Sequence, residues 1–212
     1  MKTQTVARNS ACSLSSLSQV QLGARHASLL EAARSACGGS AAWRHRKLAE
    51  ATELCRLAEV CGRLVINNLD LAVDLRADLL LRVTVPCLPN PRAPLAVADA
   101  ARLGVVYREE SIVLPQPGFS FVQILAPRPV WHANVSPDLL QVLCLGPSLP
   151  AGVPLREIIL MAYGALTMMT VQLDPGNSAG VLNPAAAEWF QRNSGLMPLS
   201  REPFLQPAKP NL

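Results

Sequence analysis

The sequence predicts an α+β domain, on three observations about the order of its apolar residues. An amphipathic helical pattern comes first, short apolar runs separated by prolines follow, and two further helical patterns lie near the C-terminus. Strands and helices segregated in this way form a small antiparallel sheet with helices packed to one side or at its ends. Half of the 212 residues are hydrophobic and 16% are charged, which permits one sizeable core and excludes a fully disordered chain.

The chain divides by composition into a basic tail at residues 1–40, a folded domain at 41–205 and a short tail at 206–212. Residues 1–40 are rich in Ser, Ala, Arg and Gly and contain one acidic residue, Glu31. Residues 1–50 carry a net charge of +5, whereas residues 51–212 carry −1. We therefore expect a disordered or weakly ordered tail, with little stable structure before Ala41.

The first predicted helix spans Ala42 to Cys61, where apolar residues recur at three- and four-residue steps and Gly62 provides a stop. The next segment, Leu79–Cys87, alternates between apolar and polar residues, as a half-buried strand does. Three short apolar runs at 104–107, 111–114 and 119–125 are bounded by prolines and predict an antiparallel meander.

The segment 131–154 has little periodicity and is expected to form an extended loop. Pro154 then opens a predicted helix of about sixteen residues. Its apolar stripe consists of Leu155, Ile158, Ile159, Ala162, Leu166 and Met169. A final short helix is predicted with Asn183 as its N-cap, Pro184 at its first position and Gly195 at its exit.

Several functional classes have little support in the composition. The longest apolar run, Ile158–Val171, has fourteen residues, whereas a membrane span needs roughly twenty. The sequence lacks a basic stripe with interleaved aromatic residues, so nucleic-acid binding has little support. The six cysteines and three histidines lack zinc-ligand spacing, so no metal is expected. Reduced thiols in a cytoplasmic protein are the simplest interpretation of the cysteines.

The residues with candidate chemistry lie in the long loop and just after the second helical pattern. The loop contains His132-Ala133-Asn134 and then Leu143-Cys144-Leu145-Gly146, and the proline-rich stretch 126–131 leads into it. The segment 182–190 reads Leu-Asn-Pro-Ala-Ala-Ala-Glu-Trp-Phe. In this combination the chain resembles the ubiquitin-conjugating enzyme family, and most closely its bacterial branch, over about residues 42–195.

The resemblance implies the family's α+β fold, with an N-terminal helix, a small antiparallel meander, a long active-site loop and C-terminal helices. It implies that Cys144 accepts a ubiquitin-like protein as a thioester from an activating enzyme and passes it to a lysine of a target protein. Asn134 matches the asparagine that stabilises the oxyanion or orders the loop, and His132 matches a mainly structural histidine. The family uses no cofactor of its own, since the activating enzyme consumes the ATP.

Three details depart from the family pattern. Ala133 replaces the usual proline, and the stretch from Asn134 to Cys144 is slightly longer than usual. The family's acidic or serine gate residue has no obvious counterpart, and Asp174, Asn177 and Ser178 stay open for that position.

Two other functions stay open beside the conjugating enzyme. One is a catalytically inactive member of the same fold that binds partners, and the other is a Cys–His hydrolase using Cys144 and His132. Several other cysteines, tryptophans and methionines are interpreted as packing residues; they are Cys55, Cys61, Cys87, Trp43, Trp131, Trp189, Met161, Met168 and Met169.

Overall fold

The fold is a mixed α+β arrangement of five α-helices and a five-stranded antiparallel sheet, as seen in a computed structural model that describes residues 14–87 and 95–205. The helices are α1 (Ala24–Ser35), α2 (Ala41–Val60), α3 (Glu110–Val113), α4 (Leu155–Leu166) and α5 (Pro184–Arg192). The strands are β1 (Leu64–Asp70), β2 (Leu75–Leu81), β3 (Val85–Cys87), β4 (Ala96–Ala98), β5 (Ala101–Tyr107), β6 (Val122–Ala126) and β7 (Val142–Leu143). Short 3-10 turns lie at Leu14–Gln19 and Ser194–Leu196.

The main sheet has the order β1-β2-β5-β6-β7, and every neighbouring pair is antiparallel. Strands β3 and β4 form a separate two-stranded sheet. Alternate residues of β2 and β5 are buried, so one face of the sheet enters the core that α2 and α4 share. This confirms the predicted α+β class and the antiparallel pairing.

The predicted first helix is confirmed as α2, and its N-terminus is capped by Ser40, whose hydroxyl accepts a hydrogen bond from the Trp43 backbone N–H. A completely buried lysine, Lys47, anchors this helix. Its Nζ donates to the carbonyl oxygens of Gly38 at 2.9 Å and Val73 at 3.0 Å, and also to that of Leu71. Three backbone acceptors thus compensate for the desolvation of the ammonium group.

The expectation of a weakly ordered tail over residues 1–40 is wrong where the structure describes that segment. Helix α1 buries Leu30 and Ala33 against the core. Two polar contacts also fix it: His26 Nδ1 lies 2.7 Å from Glu59 Oε1, and Arg25 donates to the Ile66 carbonyl at 3.1 Å. The few apolar residues of this Ala- and Ser-rich segment were too sparse to reveal these tertiary contacts. Residues 1–13 and the predicted tail 206–212 lie outside the described residues.

The strand predictions are correct in part. The predicted strand 79–87 divides into the end of β2 and β3, and β1 was missed because a register shift between Ile66 and Asn68 breaks its alternation. The apolar run at 111–114 forms the short helix α3 instead of a strand, and leaves Val113 72% exposed. The prolines at 89, 91 and 94, which supported the meander, lie outside the described residues.

The two C-terminal helices follow the prediction at their starts and differ at their ends. Helix α4 has twelve residues, because Met168 adopts a left-handed conformation with φ of 64° shortly beyond it. Met169, which was predicted to lie on the apolar stripe, is therefore beyond the end of the helix and 46% exposed. Asn183 caps α5 by accepting from Ala186 N, and Pro184 is its first residue, as predicted. The helix ends at Arg192, before the predicted exit glycine.

Candidate active site

The loop after β6 brings the His132–Asn134 triplet alongside Cys144, which directly follows β7. Cys144 N donates to Asn134 O at 2.8 Å, and Ser136 N donates to Val142 O at 3.0 Å. Val135 and Leu143 form an isolated antiparallel bridge between these contacts. Two motifs ten residues apart in sequence are thereby paired through their backbones.

Each residue of the triplet also ties a different element to the loop. The ring of His132 binds Ala165 O at 2.9 Å, at the C-terminal end of α4. The carbonyl of Ala133 accepts from Leu182 N and Asn183 N, both at 2.9 Å, at the start of α5. The triplet therefore fixes both C-terminal helices relative to Cys144.

His132 is a completely buried, neutral imidazole. Its Nε2 donates to the Ala165 carbonyl, and its Nδ1 accepts from Asn134 N at 3.0 Å, which assigns the tautomer from the partners. Burial lowers the pKa of His132 to about 4, although the Ala165 carbonyl partly opposes that shift. Both ring nitrogens are occupied by backbone groups, so His132 is not placed to take a proton from Cys144.

Asn134 lies between Cys144 and the segment that follows α4. Its Oδ1 accepts from Gln172 N at 3.2 Å, and its Nδ2 lies 3.5 Å from Cys144 O. The Nδ2 contact is at the long limit of a hydrogen bond, and an amide nitrogen carries two protons. Asn134 thus orders a neighbouring segment through its oxygen while its nitrogen keeps a proton for another acceptor.

The Cys144 thiol is buried, with 1% of the residue exposed. Its Sγ lies 3.4 Å from the carbonyl oxygens of both Gly146 and Ala179. Gly146 has a φ of 132°, a conformation that side chains rarely permit, and a Cβ on Gly118 would lie 2.1 Å from Gly146 O. Two glycines therefore allow the chain to turn immediately after the cysteine.

A cleft of about 510 Å³ opens beside the thiol. Helix α4 and the segment after it form one wall, and the loop before α5 forms the other. The lining residues are Asn134, Cys144, Leu145, Gly146, Pro147, Leu160, Met161, Gly164, Ala165, Thr170, Gln172, Asn177, Ala179 and Gly180. Among these described residues, Cys144 carries the one ionisable side chain, so the cleft suits an uncharged ligand.

The three candidates for the gate position differ in whether they line the cleft. Asn177 lines the cleft, whereas Asp174 and Ser178 are exposed and do not. Asp174 instead stabilises its own turn by accepting from Gly176 N at 3.0 Å.

Sequence reasoning missed the α4 wall of the cleft. The signal was present in Leu160 and Met161, which are apolar, lie off the core stripe and are half-buried. An apolar residue outside the stripe of a helix indicates a second covered face.

The other cysteines that the structure describes lie away from the cleft. Cys55 and Cys61 are buried in the core, as predicted, and burial raises the pKa of Cys55 to about 11, with a smaller contribution from Glu59. Cys87 is only half-buried, which corrects its interpretation as a core residue; burial also raises its pKa.

The tryptophans also differ in burial. Trp43 is buried and donates from Nε1 to Val73 O at 3.0 Å, whereas Trp131 and Trp189 are half-buried. Phe190, with no exposed surface, is the aromatic anchor of α5.

No protein-family model, no curated protein and no solved structure matches this chain. Within residues 14–87 and 95–205, no helix has both the length and the apolar character needed to cross a membrane. In that same part of the chain, no three His, Cys, Asp or Glu side chains are grouped as metal ligands would be.

Proposed function

We propose that this chain is an acyl carrier of the ubiquitin-conjugating type, with Cys144 as the acceptor. The observation that carries the proposal is the backbone pairing of Cys144 with Asn134 at the mouth of a cleft that both residues line. A helix, an antiparallel meander, a long loop with the cysteine and two further helices occur in the order that the family resemblance implies.

The proposed reaction has two acyl transfers. The Cys144 sulfur attacks the C-terminal glycyl carbonyl of a ubiquitin-like protein held as a thioester on an activating enzyme. The new S–C bond forms as that enzyme's thiol leaves with a proton. A lysine amine of the target then attacks the Cys144 thioester, the amide bond forms, and the Cys144 thiol is regenerated. We assign the extended end of the modifier to the cleft along α4, which has a volume of about 510 Å³.

Asn134 supports the second transfer in this proposal. The amine attack places negative charge on the carbonyl oxygen, and Nδ2 of Asn134 is a neutral donor next to Cys144 with a free proton. His132 holds the loop by its two backbone contacts and takes no part in proton transfer. This engagement of both ring nitrogens argues against the Cys–His hydrolase.

One observation favours the inactive, partner-binding alternative, namely the burial of the thiol under Ala179. The two functions differ in whether Cys144 accepts an acyl group. A synthetic probe, the glycylglycine thioester of 2-mercaptoethanesulfonate, tests this without any partner protein. A carrier exchanges thiols with the probe and gains a glycylglycyl group on Cys144, detected by peptide mass spectrometry. A module that only binds partners stays unmodified at Cys144.

The role of Asn134 is tested in the discharge of that glycylglycyl adduct to free lysine. Asn134→Ala removes both amide groups, whereas Asn134→Asp keeps an oxygen for Gln172 N and loses the donor. We expect both variants to accept the probe and both to discharge about 10²–10³-fold more slowly than the wild type. If Asn134→Asp discharges at the wild-type rate, Asn134 only orders the loop and the oxyanion role is wrong.

A further inference from the structure

The loop 173–181, which we call the lid, crosses the mouth of the cleft and covers the Cys144 thiol. Its own backbone bonds make it a self-contained turn: Asn177 N donates to Asp174 O at 2.9 Å, and Gly180 N donates to Asn177 O at 3.1 Å. Its two ends are tied to the triplet, through Gln172 to Asn134 and through Leu182 to Ala133. The lid is therefore a loop that is held at both of its ends.

The thiol contacts the lid through one backbone carbonyl. The Ala179 carbonyl lies 3.4 Å from Cys144 Sγ, and this is the contact that the lid makes with the sulfur. The second carbonyl at 3.4 Å, that of Gly146, belongs to the chain just after Cys144. A thiol has one proton, so the Ala179 contact is favourable only while the sulfur is a donor.

A substituent on the sulfur removes that contact. Acylation replaces the S–H bond with an S–C bond, so two carbonyl oxygens then face a sulfur with no proton to offer. The acyl carbon and its oxygen also add bulk next to the Ala179 carbonyl, which lies 3.4 Å from Sγ. The remaining free volume lies along α4, in the cleft that the closed lid borders.

We infer that the lid senses the state of Cys144: it is closed over the free thiol and opens when the sulfur carries an acyl group. The inference deepens the proposed function and rests on it for the natural acyl group, but any small substituent on the sulfur should open the lid. The closed lid protects the unloaded thiol, and the open lid exposes the loaded thioester to an amine.

A tether outside the cleft allows the lid to be loosened without touching the site. Gln191 on α5 is exposed, and its Nε2 donates to Leu173 O at 2.7 Å, at the start of the lid. Arg192 is the matched control, because it is also exposed on α5 but pairs with Glu188 at 2.9 Å on the same helix.

The first experiment measures the rate at which iodoacetamide alkylates Cys144. The sulfur–carbon bond forms, iodide leaves and the thiol proton passes to solvent. We expect Gln191→Ala to react about fivefold faster than the wild type, since one hydrogen bond of the lid is lost. Arg192→Ala should match the wild type. The half-buried Cys37, followed in the same digest, should react at one rate in all three proteins, which excludes general unfolding. Equal Cys144 rates in Gln191→Ala and wild type would overturn the inference.

The second experiment compares hydrogen exchange in residues 173–181 before and after carboxamidomethylation of Cys144. Exchange should rise about tenfold on modification, because the substituted sulfur no longer holds Ala179. Cys144→Ala treated with iodoacetamide controls for reaction elsewhere. Unchanged exchange after modification would show that the lid does not respond. Neither measurement needs a modifier or an activating enzyme, so a rigid lid would overturn this inference alone, whereas failure of the glycylglycine probe would overturn the proposed function.

Discussion

Acid should destabilise this fold through one buried side chain, His132. The folded state holds its pKa at about 4 by burial, whereas an unfolded chain has a histidine pKa of about 6.5. Between these values the unfolded chain binds a proton that the folded state excludes. The contribution of His132 to the free energy of unfolding is therefore fully present above pH 6.5 and is lost as the pH falls towards 4.

The two pKa values set the size of the effect. They imply a loss of about 2 kcal/mol between pH 7 and pH 5, and of about 3 kcal/mol once the pH is below 4. Three carboxyl groups have a pKa that is lowered by hydrogen bonds. They affect the free energy of unfolding mainly below pH about 4. They are Glu59 (bound by His26), Asp78 (bound by Arg102) and Asp138 (bound by Ser136).

The assay is urea unfolding at pH 7 and pH 5, with the difference between the two free energies as the readout. His132→Gln keeps a neutral amide in place of the ring. The difference between its free energies of unfolding at pH 7 and pH 5 should therefore be about 2 kcal/mol smaller than in the wild type. The matched control is His45→Gln, at an exposed position on α2, which should behave as the wild type does. If His132→Gln retains the full pH dependence, the assignment of a neutral, buried His132 is refuted.

Three further predictions concern stability. Phe190→Ala should lower the free energy of unfolding by about 3–5 kcal/mol, because the ring is completely buried, and Trp189→Ala should lower it less; urea midpoints measure both. Deletion of residues 1–35 should lower Tm by several degrees, since α1 packs on the core; an unchanged Tm in calorimetry would contradict that packing. Lys47→Met should cost about 1–3 kcal/mol in the same urea assay, because three backbone carbonyls lose their donor; no change would show that solvent replaces it.

Local signals in the sequence predicted α2 and both starts of the C-terminal helices. Each start depends on neighbours within a few residues, as in the Asn183 cap and the Pro184 that follows it. Helix α1 could not be predicted, because its order depends on partners far along the chain, such as Glu59 for His26. The break between β2 and β3 was missed for the same reason, since the strand changes partners there.

The residues of the candidate site were found by motif, but their relations needed the structure. The sequence placed His132, Asn134 and Cys144 in one loop, and the backbone pairing of Asn134 with Cys144 brings two of them together. Nothing local indicated that Ala179 covers the thiol, since that contact spans thirty-five residues. The burial of Cys144 is the feature that motif reasoning could least anticipate.

The central claim is that Cys144 carries a protein by a thioester, and intact-mass measurement of the native chain tests it most directly. The chain is purified from its own cells without reductant, in wild-type form and as Cys144→Ala, Cys144→Ser and Cys37→Ala. We predict a small-protein adduct on the wild type and on Cys37→Ala that neutral hydroxylamine and thiols both remove. Cys144→Ser should carry the same mass as an ester that thiols leave intact, and Cys144→Ala should carry none. An adduct that persists in Cys144→Ala would contradict the thioester at Cys144. So would an adduct that thiols remove but hydroxylamine leaves intact, because that behaviour is typical of a disulfide.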